Sequence, residues 1–264
     1  MTRLRLDAEL VRRGLVASRA EAQEAVRAGT VLVSGVPATK FATMVGADEA
    51  VLLSTKVGTF ASRAGGKLAA ALERFGVDPA GRDCLDAGAS TGGFTDCLLR
   101  AGAARIVAVD VGYGQLAWSL RNDPRVEVRE RTNVRFLRPE DLPFAPEVVV
   151  ADLSFISLRL VLPTLAQLAA PEAVFVLLVK PQFEAGPQDV GRGGVVRDPA
   201  VWRRVVGDVV EVAAALGLAP AACMASPLRG PAGNVEFLVY LRRPDEPVAL
   251  DLDAVVAEGE AIRP

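Results

Sequence analysis

Short apolar runs alternate with amphipathic stretches from residue 67 onward, and this alternation constrains the fold more than any other feature of the chain. The apolar runs predict strands at residues 83–87, 106–110, 126–130, 148–152, 173–179 and 235–241. Helical spacing predicts helices at residues 68–75, 94–101, 158–168 and 202–216, and a short one within 248–262. Because strands that alternate with helices favour a mostly parallel sheet with helices on both faces, we predict an α/β fold with a Rossmann-like sheet over residues 67–264.

Residues 1–54 are predicted to form a separate, small α/β unit. Helices are expected at residues 7–13 and 18–28, a strand and turn at 31–35, and a second strand at 50–54. Gly14 ends the first helix, and Ser18 with Glu21 three residues later forms a capping-box pattern at the start of the second. Residues 55–66 hold three glycines and few large apolar side chains, which indicates a linker between the two units.

Composition excludes several kinds of chemistry. The chain of 264 residues has no histidine, and its three cysteines, Cys84, Cys97 and Cys223, lack a C-x-x-C spacing. Histidine catalysis, a zinc site and a disulfide framework are therefore not expected, and we expect no metal. No apolar stretch approaches the ~20 residues that cross a bilayer, and the N-terminus lacks the apolar core of a signal peptide. We expect a cytoplasmic protein that has no membrane partner.

The charge is unevenly distributed. Residues 1–40 carry a net charge of +3, which leaves −5 for the remainder of the chain. A basic end on an acidic body is consistent with nucleic-acid contact, although solvated helix surfaces give the same balance.

A loop of small residues, which we call the glycine loop, follows the predicted strand at 83–87. It reads Gly-Ala-Ser-Thr-Gly-Gly at residues 88–93 and leads into a helix, so the backbone can approach a ligand at unpaired N–H groups. Asp110, at the end of the next strand, lies 22 residues past Gly88 and suits an acceptor for two ribose hydroxyls. The glycine spacing is not G-x-G-x-x-G, and the acidic Asp86 before it favours a cationic sulfonium ligand such as S-adenosylmethionine. A plain strand-to-helix turn is the other interpretation.

Four charged residues occupy positions where charge is costly or functional. Asp152 and Lys180 end predicted strands, Glu236 lies inside an apolar run, and Lys67 starts a predicted helix. In open α/β sheets ligands bind at the carboxyl ends of the strands, and charges in apolar strands are costly unless they are paired. The four residues form either a structural ion-pair network or a catalytic set, and their occurrence beside the glycine loop favours catalysis.

Methylation of a ribose hydroxyl suits these four residues, because the hydroxyl must lose its proton as the methyl group arrives. A desolvated lysine near a second cation can be neutral near pH 7 and act as the base. A carboxylate can orient that lysine, and the other lysine can stabilise the developing alkoxide.

The sequence resembles the TlyA family, and its larger part resembles the wider FtsJ-type ribose 2′-O-methyltransferases. The matching segments are Ser-Arg-x-x-x-Lys-Leu at 62–68, Asp-Ala-Gly-Ala-Ser-Thr-Gly-Gly-Phe-Thr at 86–95, Asp-Val-Gly-Tyr-Gly-Gln-Leu at 110–116, Ala-Asp-Leu-Ser-Phe-Ile-Ser at 151–157, Val-Lys-Pro-Gln-Phe-Glu at 179–184 and Gly-Asn-Val-Glu at 233–236. The first part resembles the RNA-binding domain first named for a small-subunit ribosomal protein, through Leu-Asp-x-x-Leu-Val-x-x-Gly-Leu at 6–15, Ser-Arg at 18–19 and Gly-x-Val at 29–31.

The resemblance implies S-adenosylmethionine-dependent 2′-O-methylation of cytidine in ribosomal RNA, free or in assembled subunits. The catalytic set that it implies is Lys67, Asp152, Lys180 and Glu236. The cofactor contacts that it implies are Asp86, Gly88, Ser90, Thr91, Gly92, Gly93, Asp110, Val111 and Asn133. The RNA contacts that it implies are Arg3, Arg5, Arg19 and Lys40. The basic N-terminal extension and the tail after Pro247 resemble the branch that modifies both the 16S and the 23S rRNA.

One segment departs from the family. Close relatives carry an Arg-Ala-Trp-Val type of linker before the Ser-Arg motif, whereas residues 58–61 read Gly-Thr-Phe-Ala here, so that only the aromatic Phe60 is kept.

Two other functions remain open on the sequence. A nucleotide-dependent oxidoreductase is disfavoured by the glycine spacing and by the lack of histidine. A non-enzymatic ribosome-binding or haemolysin-like protein would require the four charged residues to be purely structural. The family was historically called a haemolysin, but the absence of a membrane-spanning segment argues against pore formation.

Overall fold

A computed structural model describes residues 3–27, 30–33, 36–46, 49–53, 60–243 and 248–262. The chain folds into two units, Met1–Thr59 and Phe60–Pro264. Some positions named in the sequence predictions lie outside the described residues: 28, 29, 34, 35, 54–59 and 247. Among the helices of the described residues, none is both long and apolar enough to cross a membrane.

The first unit is a small α/β fold, as predicted. Its elements are β1 (Arg3–Arg5), α1 (Leu6–Arg12), α2 (Arg19–Arg27), β2 (Val31–Val33), β3 (Val36–Pro37), β4 (Met44–Gly46) and β5 (Val51–Leu53). Strand β1 pairs antiparallel with β4, and β2 lies between β3 and β5 in a second antiparallel sheet. Leu6 and Leu10 of α1 pack with Ala22 and Val26 of α2 in a core of their own. Strands β1, β3 and β4 were not predicted, because runs of two or three residues show no measurable period.

The helix boundaries of the first unit follow the predicted signals. Gly14 adopts φ +68° directly after α1, a conformation that glycine reaches without steric cost. The Ser18 hydroxyl accepts a hydrogen bond from the Glu21 N–H at 3.2 Å, and the Glu21 carboxylate accepts one from the Ala17 N–H at 2.7 Å. The capping pair therefore forms at the predicted residues, with the return contact one residue earlier than in a standard capping box.

The second unit holds one large sheet. Its helices are α3 (Arg63–Phe75), α4 (Gly93–Arg100), α5 (Trp118–Arg121), α6 (Leu162–Leu168), α7 (Pro181–Glu184), α8 (Pro199–Ala215) and α9 (Leu252–Ala261). Its strands are β6 (Asp83–Ala87), β7 (Arg105–Val109), β8 (Val126–Arg129), β9 (Val148–Ala151), β10 (Val174–Val179), β11 (Ala219–Ala225) and β12 (Phe237–Arg242). Single 3₁₀ turns lie at Val134–Phe136, Pro139–Asp141, Leu158–Leu160 and Pro187–Asp189.

The strand order confirms the predicted Rossmann-like sheet. The seven strands run β11-β12-β10-β9-β6-β7-β8, with β6 to β10 parallel and β12 antiparallel to both of its neighbours. The chain moves outward from β6 through β7 to β8, then returns to pair β9 on the other side of β6. Because ligands of open α/β sheets bind where the strand order reverses, the carboxyl ends of β6 and β9 define the position of a candidate site.

Helices cover both faces of the sheet, as predicted. Helices α3 and α4 contribute Leu68 and Leu98 to the core on one face. Helices α6 and α8 contribute Leu165 and Val205 to the core on the other face. The four residues of β9 alternate between the two cores and are all fully buried, which explains why the central strands read as uninterrupted apolar runs.

Four predicted elements differ from the structure by more than one residue, and one of them is α8, which begins at Pro199 rather than at residue 202 because Asp198 caps it. Helix α3 begins at Arg63 rather than at residue 68, because Ser62 caps it and Gly65 lets it pack closely: a Cβ on Gly65 would lie 2.3 Å from the Phe60 Cβ. The predicted helix at 158–168 is a 3₁₀ turn followed by α6. The predicted strand at 235–241 begins two residues later, at Phe237.

Strand β11 was not predicted at all. It reads Ala-Pro-Ala-Ala-Cys-Met-Ala, which lacks the β-branched and aromatic residues typical of strands. Its structure comes from antiparallel pairing along the length of β12, with an irregularity near Pro220. Because this strand is stabilised mainly by pairing with β12, its sequence shows no alternation of apolar and polar residues from which it could be predicted.

The buried thiols give a direct test of this fold. Burial raises the pKa of Cys84, Cys97 and Cys223 to about 12 in each case, so the reactive thiolate is scarce in the native protein at ordinary pH. We expect iodoacetamide at pH 8 to leave the native chain unlabelled for hours and to label all three cysteines in urea, as counted by intact mass. Rapid labelling of any one thiol in the native protein would contradict the packing described here.

Candidate active site

The sheet brings the predicted acidic and basic residues to one face at its carboxyl edge. Asp86 is paired in register with Val150, and Asp152 lies two residues further along the same side of β9. Because side chains alternate along a strand, both carboxylates point to the face that carries helices α3 and α4. Lys180 and Glu236 flank the last pair of the β10–β12 ladder and lie on this same face.

Two ion pairs join the four charged residues. The Lys180 Nζ lies 2.6 Å from Asp152 Oδ1. Lys67, which reaches the site from α3, donates from its Nζ to Glu236 Oε2 at 2.5 Å. Each lysine therefore has a carboxylate partner and the set is electrically neutral, which is the condition for enclosing four charges in a protein.

The two pairs differ in how far solvent reaches them. The Lys180 and Asp152 side chains are 12% and 16% exposed, whereas those of Lys67 and Glu236 are 8% and 1% exposed. The Lys180 ammonium also donates to the Ser154 hydroxyl at 2.9 Å. The Lys180–Asp152 pair is therefore the more accessible of the two, and the Lys67–Glu236 pair is the more enclosed.

The glycine loop, which follows β6, contacts the residue that directly follows the neighbouring strand β9. Gly88 and Gly92 have φ values of +90° and +96°, a region that side chains rarely adopt. A Cβ on Gly88 would lie 2.6 Å from the Asp152 carbonyl oxygen. Loop, helix and strand together line a small cleft formed by Ser62, Ala64, Gly88, Ala89, Ser90, Thr91, Gly93, Phe94 and Asp152. The loop conformation thus depends on glycine, and it opens a cleft directly beside a charged pair.

Asp110 holds the glycine loop in place. Its carboxylate accepts hydrogen bonds from the Ser90 N–H at 2.9 Å and from the Gly112 N–H at 2.7 Å. A carboxylate has about four acceptor positions, so Asp110 keeps capacity for the two ribose hydroxyls expected from the sequence. The hydrogen bond between the Ser90 N–H and Asp110 was not predicted, because the spacing of the two residues in the sequence does not indicate a contact.

Asp86 is a buried acceptor that the protein satisfies only in part. It is fully buried, and its Oδ2 accepts from the Thr95 hydroxyl at 2.6 Å. Burial raises its pKa to about 7, although the Thr95 contact opposes the shift. Its other oxygen, Oδ1, has no hydrogen-bond partner among the described residues. A buried acceptor without a partner is unusual in a folded protein and fits a nearby positive charge or donor group.

The remaining predicted cofactor residues lie around the same edge of the sheet. Thr91 accepts the Ala117 N–H through its carbonyl oxygen at 3.2 Å, and Gly93 begins α4. Val111 is 70% exposed directly after Asp110. Asn133 caps the 3₁₀ turn that follows, because its side-chain oxygen accepts from the Arg135 N–H at 3.1 Å. A cofactor contact from Val111 or Asn133 therefore stays a prediction.

Phe155, Phe183 and Glu184, which lie close to Lys180 or Ser154 in the chain, were missed by the reasoning from single residues. Phe155 adopts φ +64°, which is unusual for a bulky residue, and its ring is 92% exposed. The ring lies 5.2 Å from that of Phe183, and Glu184 behind them is buried and accepts from the Leu158 N–H at 2.6 Å. Residues 151–157 and 179–184 match motifs of the family, but a motif does not show that a hydrophobic ring is exposed to solvent.

The basic residues predicted to contact RNA lie in the first unit. Arg3 pairs with Glu49 at 2.6 Å. Arg5 and Arg19 both pair with a single carboxylate, that of Asp7. Lys40 is exposed and makes no ion pair with another described residue. Within the described part of the chain, no three His, Cys, Asp or Glu side chains are arranged to hold a metal ion.

Comparison with known families covers both units. The model of the FtsJ-like methyltransferase family matches residues 60–243, and the model of the S4 domain matches residues 4–51. The first match spans more than half of the chain and includes every residue of the two ion pairs.

Individual relatives are similar over nearly the whole length. The 16S/23S rRNA (cytidine-2′-O)-methyltransferase TlyA of Mycobacterium tuberculosis (strain H37Rv) is 56% identical over 91% of this chain and 90% of its own length. Hemolysin A of Brachyspira hyodysenteriae is 37% identical over 90% of this chain and 99% of its own length. A protein from Streptococcus thermophilus, solved as a candidate hemolysin, is 36% identical with a TM-score of 0.76, covering 98% of this chain and 96% of that one. The chain therefore belongs to the TlyA family of FtsJ-like methyltransferases, and its first unit is an S4 domain.

Proposed function

We propose that this protein transfers a methyl group from S-adenosylmethionine to the 2′-hydroxyl of cytidine in ribosomal RNA. The observation that carries the proposal is the Lys180–Asp152 pair, at 2.6 Å and partly exposed, beside a cleft lined by the glycine loop. The name of the M. tuberculosis relative, which specifies cytidine 2′-oxygens of 16S and 23S rRNA, supports the substrate and both targets. Ribosomes are cytoplasmic, so we propose the same location for the enzyme.

Residues at the carboxyl ends of β6 and β7 would hold the cofactor. Gly88, Gly92 and Gly93 leave no room for a side chain, so the loop keeps the close-packed course that borders the cleft. Asp110 would accept from the ribose hydroxyls with its remaining lone pairs. The unpartnered Oδ1 of Asp86 would accept from a donor group or respond to the positive charge of the ligand. When bound, S-adenosylmethionine supplies an electrophilic methyl group attached to a positively charged sulfur, and the sulfur keeps the electron pair of the carbon–sulfur bond that breaks.

Lys180 is the proposed proton acceptor. In its neutral form its Nζ takes the proton of the ribose 2′-hydroxyl while the new oxygen–carbon bond forms. Asp152 and Ser154 orient the amine, since both contact its Nζ within 2.9 Å. Lys67, held by Glu236, keeps a positive charge near the developing alkoxide. The exposed ring of Phe155 offers a surface on which a cytosine base can stack.

The two units divide the work in this proposal. Residues 1–54, with Arg3, Arg5, Arg19 and Lys40, bind ribosomal RNA or an assembled subunit. Residues 55–66 serve as the linker, and residues 67–264 bind the cofactor and carry out the transfer.

Replacing Lys180 tests the proton acceptor. Lys180→Ala is expected to lower the single-turnover methylation rate by about 10²–10⁴-fold, with cofactor and subunit affinities unchanged. Lys180→Arg is expected to remain inactive, because a guanidinium cannot release its proton in this range of pH. Rates should be measured on purified ribosomal subunits from pH 6 to 10. A near-normal rate and pH profile for Lys180→Arg would make Lys180 an electrostatic support and move the base elsewhere.

Replacing Asp110 tests the cofactor site. Asp110→Ala removes the acceptor of the Ser90 N–H in the glycine loop and the proposed contacts to ribose, so it is expected to weaken S-adenosylmethionine binding by about 1–3 kcal/mol. Calorimetry measures this, with Asp123→Ala as the control because Asp123 lies at the far end of β8 and pairs with Arg125. Unchanged affinity in a folded Asp110→Ala variant removes Asp110 from the site.

Replacing Asp86 separates stability from binding. The folded pKa of Asp86, about 7, lies above its ordinary 3.8, so the free energy of unfolding falls as the pH rises from about 4 to 7 and stays lower above that. Asp86→Asn is therefore expected to stabilise the protein at pH 8 by about 1–3 kcal/mol, with little gain at pH 4, while cofactor affinity drops. Denaturant unfolding at both pH values and calorimetry check the two effects. Loss of stability at pH 8 would mean that the carboxylate is better compensated than its contacts indicate.

A further inference from the structure

The S4 domain contains a carboxylate that is completely buried and surrounded by donors. Asp7, in the first turn of α1, has no exposed surface. Its Oδ1 accepts from Arg5 Nε at 3.1 Å, and its Oδ2 accepts from Arg5 Nη2 at 3.0 Å, Arg19 Nη2 at 3.1 Å and Gln23 Nε2 at 3.2 Å. The contacts of Arg5 and Arg19 lower the pKa of this carboxyl far below its ordinary range. One buried negative charge therefore ties residues of α2 to the segment where β1 meets α1.

The two arginines are held on one side and open on the other. Their side chains are 43% and 56% exposed. Arg5 uses Nε and Nη2 on Asp7, which leaves its Nη1, and Arg19 uses only Nη2, which leaves Nε and Nη1. These remaining N–H groups have no partner among the described residues. A guanidinium with free, fixed donors matches the geometry of a phosphate group.

A second buried carboxylate on the same helix gives a contrast. Glu9 is 1% exposed and pairs with Arg12 and Arg13, which lowers its pKa to about 2. Arg13 is only 21% exposed, and it also donates to the carbonyl oxygens of Glu49 and Gly46. Through Arg13 the Glu9 cluster ties α1 to the segment around β4, and its exposed member, Arg12, is 55% exposed but is not among the residues proposed to contact RNA.

An aromatic ring extends the Asp7 cluster. The Phe41 ring centroid lies 5.9 Å from the Arg5 guanidinium carbon and 5.7 Å from that of Arg27. At this distance the ring face attracts a guanidinium electrostatically. Arg5 is therefore fixed by a carboxylate and by an aromatic face together, which reduces the conformational freedom that it would lose on binding a ligand.

We propose that Asp7 is the positioning residue of an RNA phosphate-binding surface that consists of Arg5 and Arg19. The proposal rests on the proposed function, since it takes ribosomal RNA as the ligand of this domain. It adds that the affinity of the two arginines depends on a buried acid, which orders them before RNA arrives. Asp7 itself does not touch the RNA.

The proposal and simple electrostatics predict opposite signs. Asp7→Asn removes a negative charge from a surface that meets a polyanion, so charge alone predicts tighter binding. If Asp7 orders the arginines, the same change releases them and weakens binding. Glu9→Gln makes the same change in net charge and removes an equally buried carboxylate, but it leaves the Asp7 cluster intact.

The experiment measures binding of full-length variants to unmodified, purified ribosomal subunits at several salt concentrations. Asp7→Asn is expected to weaken binding about tenfold and to flatten the salt dependence by about one phosphate contact. Glu9→Gln is expected to bind at least as tightly as the wild-type protein. Circular dichroism and thermal unfolding of each variant verify that the S4 domain is folded at the assay temperature, and cofactor affinity is expected to stay unchanged in both.

Unchanged or tighter binding by a folded Asp7→Asn variant overturns the proposal, and so does an equal loss in Glu9→Gln. If Asp7→Asn does not fold, Arg5→Lys decides instead. It keeps the charge but cannot make the two-bonded contact with Asp7, so it is expected to bind almost as weakly as Arg5→Ala, and wild-type affinity overturns the proposal. Arg19→Ala and Lys40→Ala test the proposed function separately. If neither weakens binding, the RNA surface lies elsewhere. If they do and Asp7→Asn does not, only the positioning role fails.

Discussion

One backbone hydrogen bond joins the two halves of the large sheet at its functional edge. The Asp152 N–H donates to the Ala87 carbonyl oxygen at 3.0 Å and extends the parallel ladder of β6 and β9 beyond its last pair. This bond fixes the position of Asp152 against the glycine loop, where Gly88 then has no room for a side chain. A slip of one residue would turn Asp152 to the opposite face of the sheet and separate it from Lys180. The cleft and the more exposed ion pair therefore depend on the same ladder.

Ion pairs serve two opposite purposes in the two units. In the second unit, carboxylates and lysines neutralise one another inside an apolar frame, so that four charges are enclosed with a partner for each. In the S4 domain, the acids Asp7 and Glu9 are buried while Arg5, Arg12 and Arg19 extend from them toward solvent. The first arrangement encloses charges of both signs, whereas the second buries the negative charges and exposes the positive ones. A chain with a small overall net charge can thus present a basic surface without becoming a basic protein.

The sequence predicted the frame of the molecule well, and for identifiable reasons. Strand β6 matches its predicted bounds, and β7 to β10 differ by no more than one residue at either end, because buried parallel strands are continuous apolar runs. The four charged residues were identified because a lysine or a carboxylate at the end of such a run has few structural uses. Their pairing, Lys67 with Glu236 and Lys180 with Asp152, was not assigned, since the sequence contains no register between α3 and β12. The solvent-facing ring of Phe155 and the shared carboxylate of Asp7 also required coordinates, because both are set by a single backbone conformation or by contacts between elements.

The late position of β12 in the chain has a consequence for the order in which the site is assembled. Lys67 and Glu236 are 169 residues apart in the chain, yet their side chains are in contact and almost completely enclosed. While the chain is being synthesised, Lys67 emerges long before its partner, and every intermediate length up to residue 235 leaves it without that carboxylate. Burying the unpaired ammonium would cost several kcal/mol. We therefore expect α3 to stay loosely docked until β12 has been synthesised. The candidate active site is completed late in synthesis, after the S4 domain has already emerged, so a chain that terminates early carries an S4 domain without the Lys67–Glu236 pair.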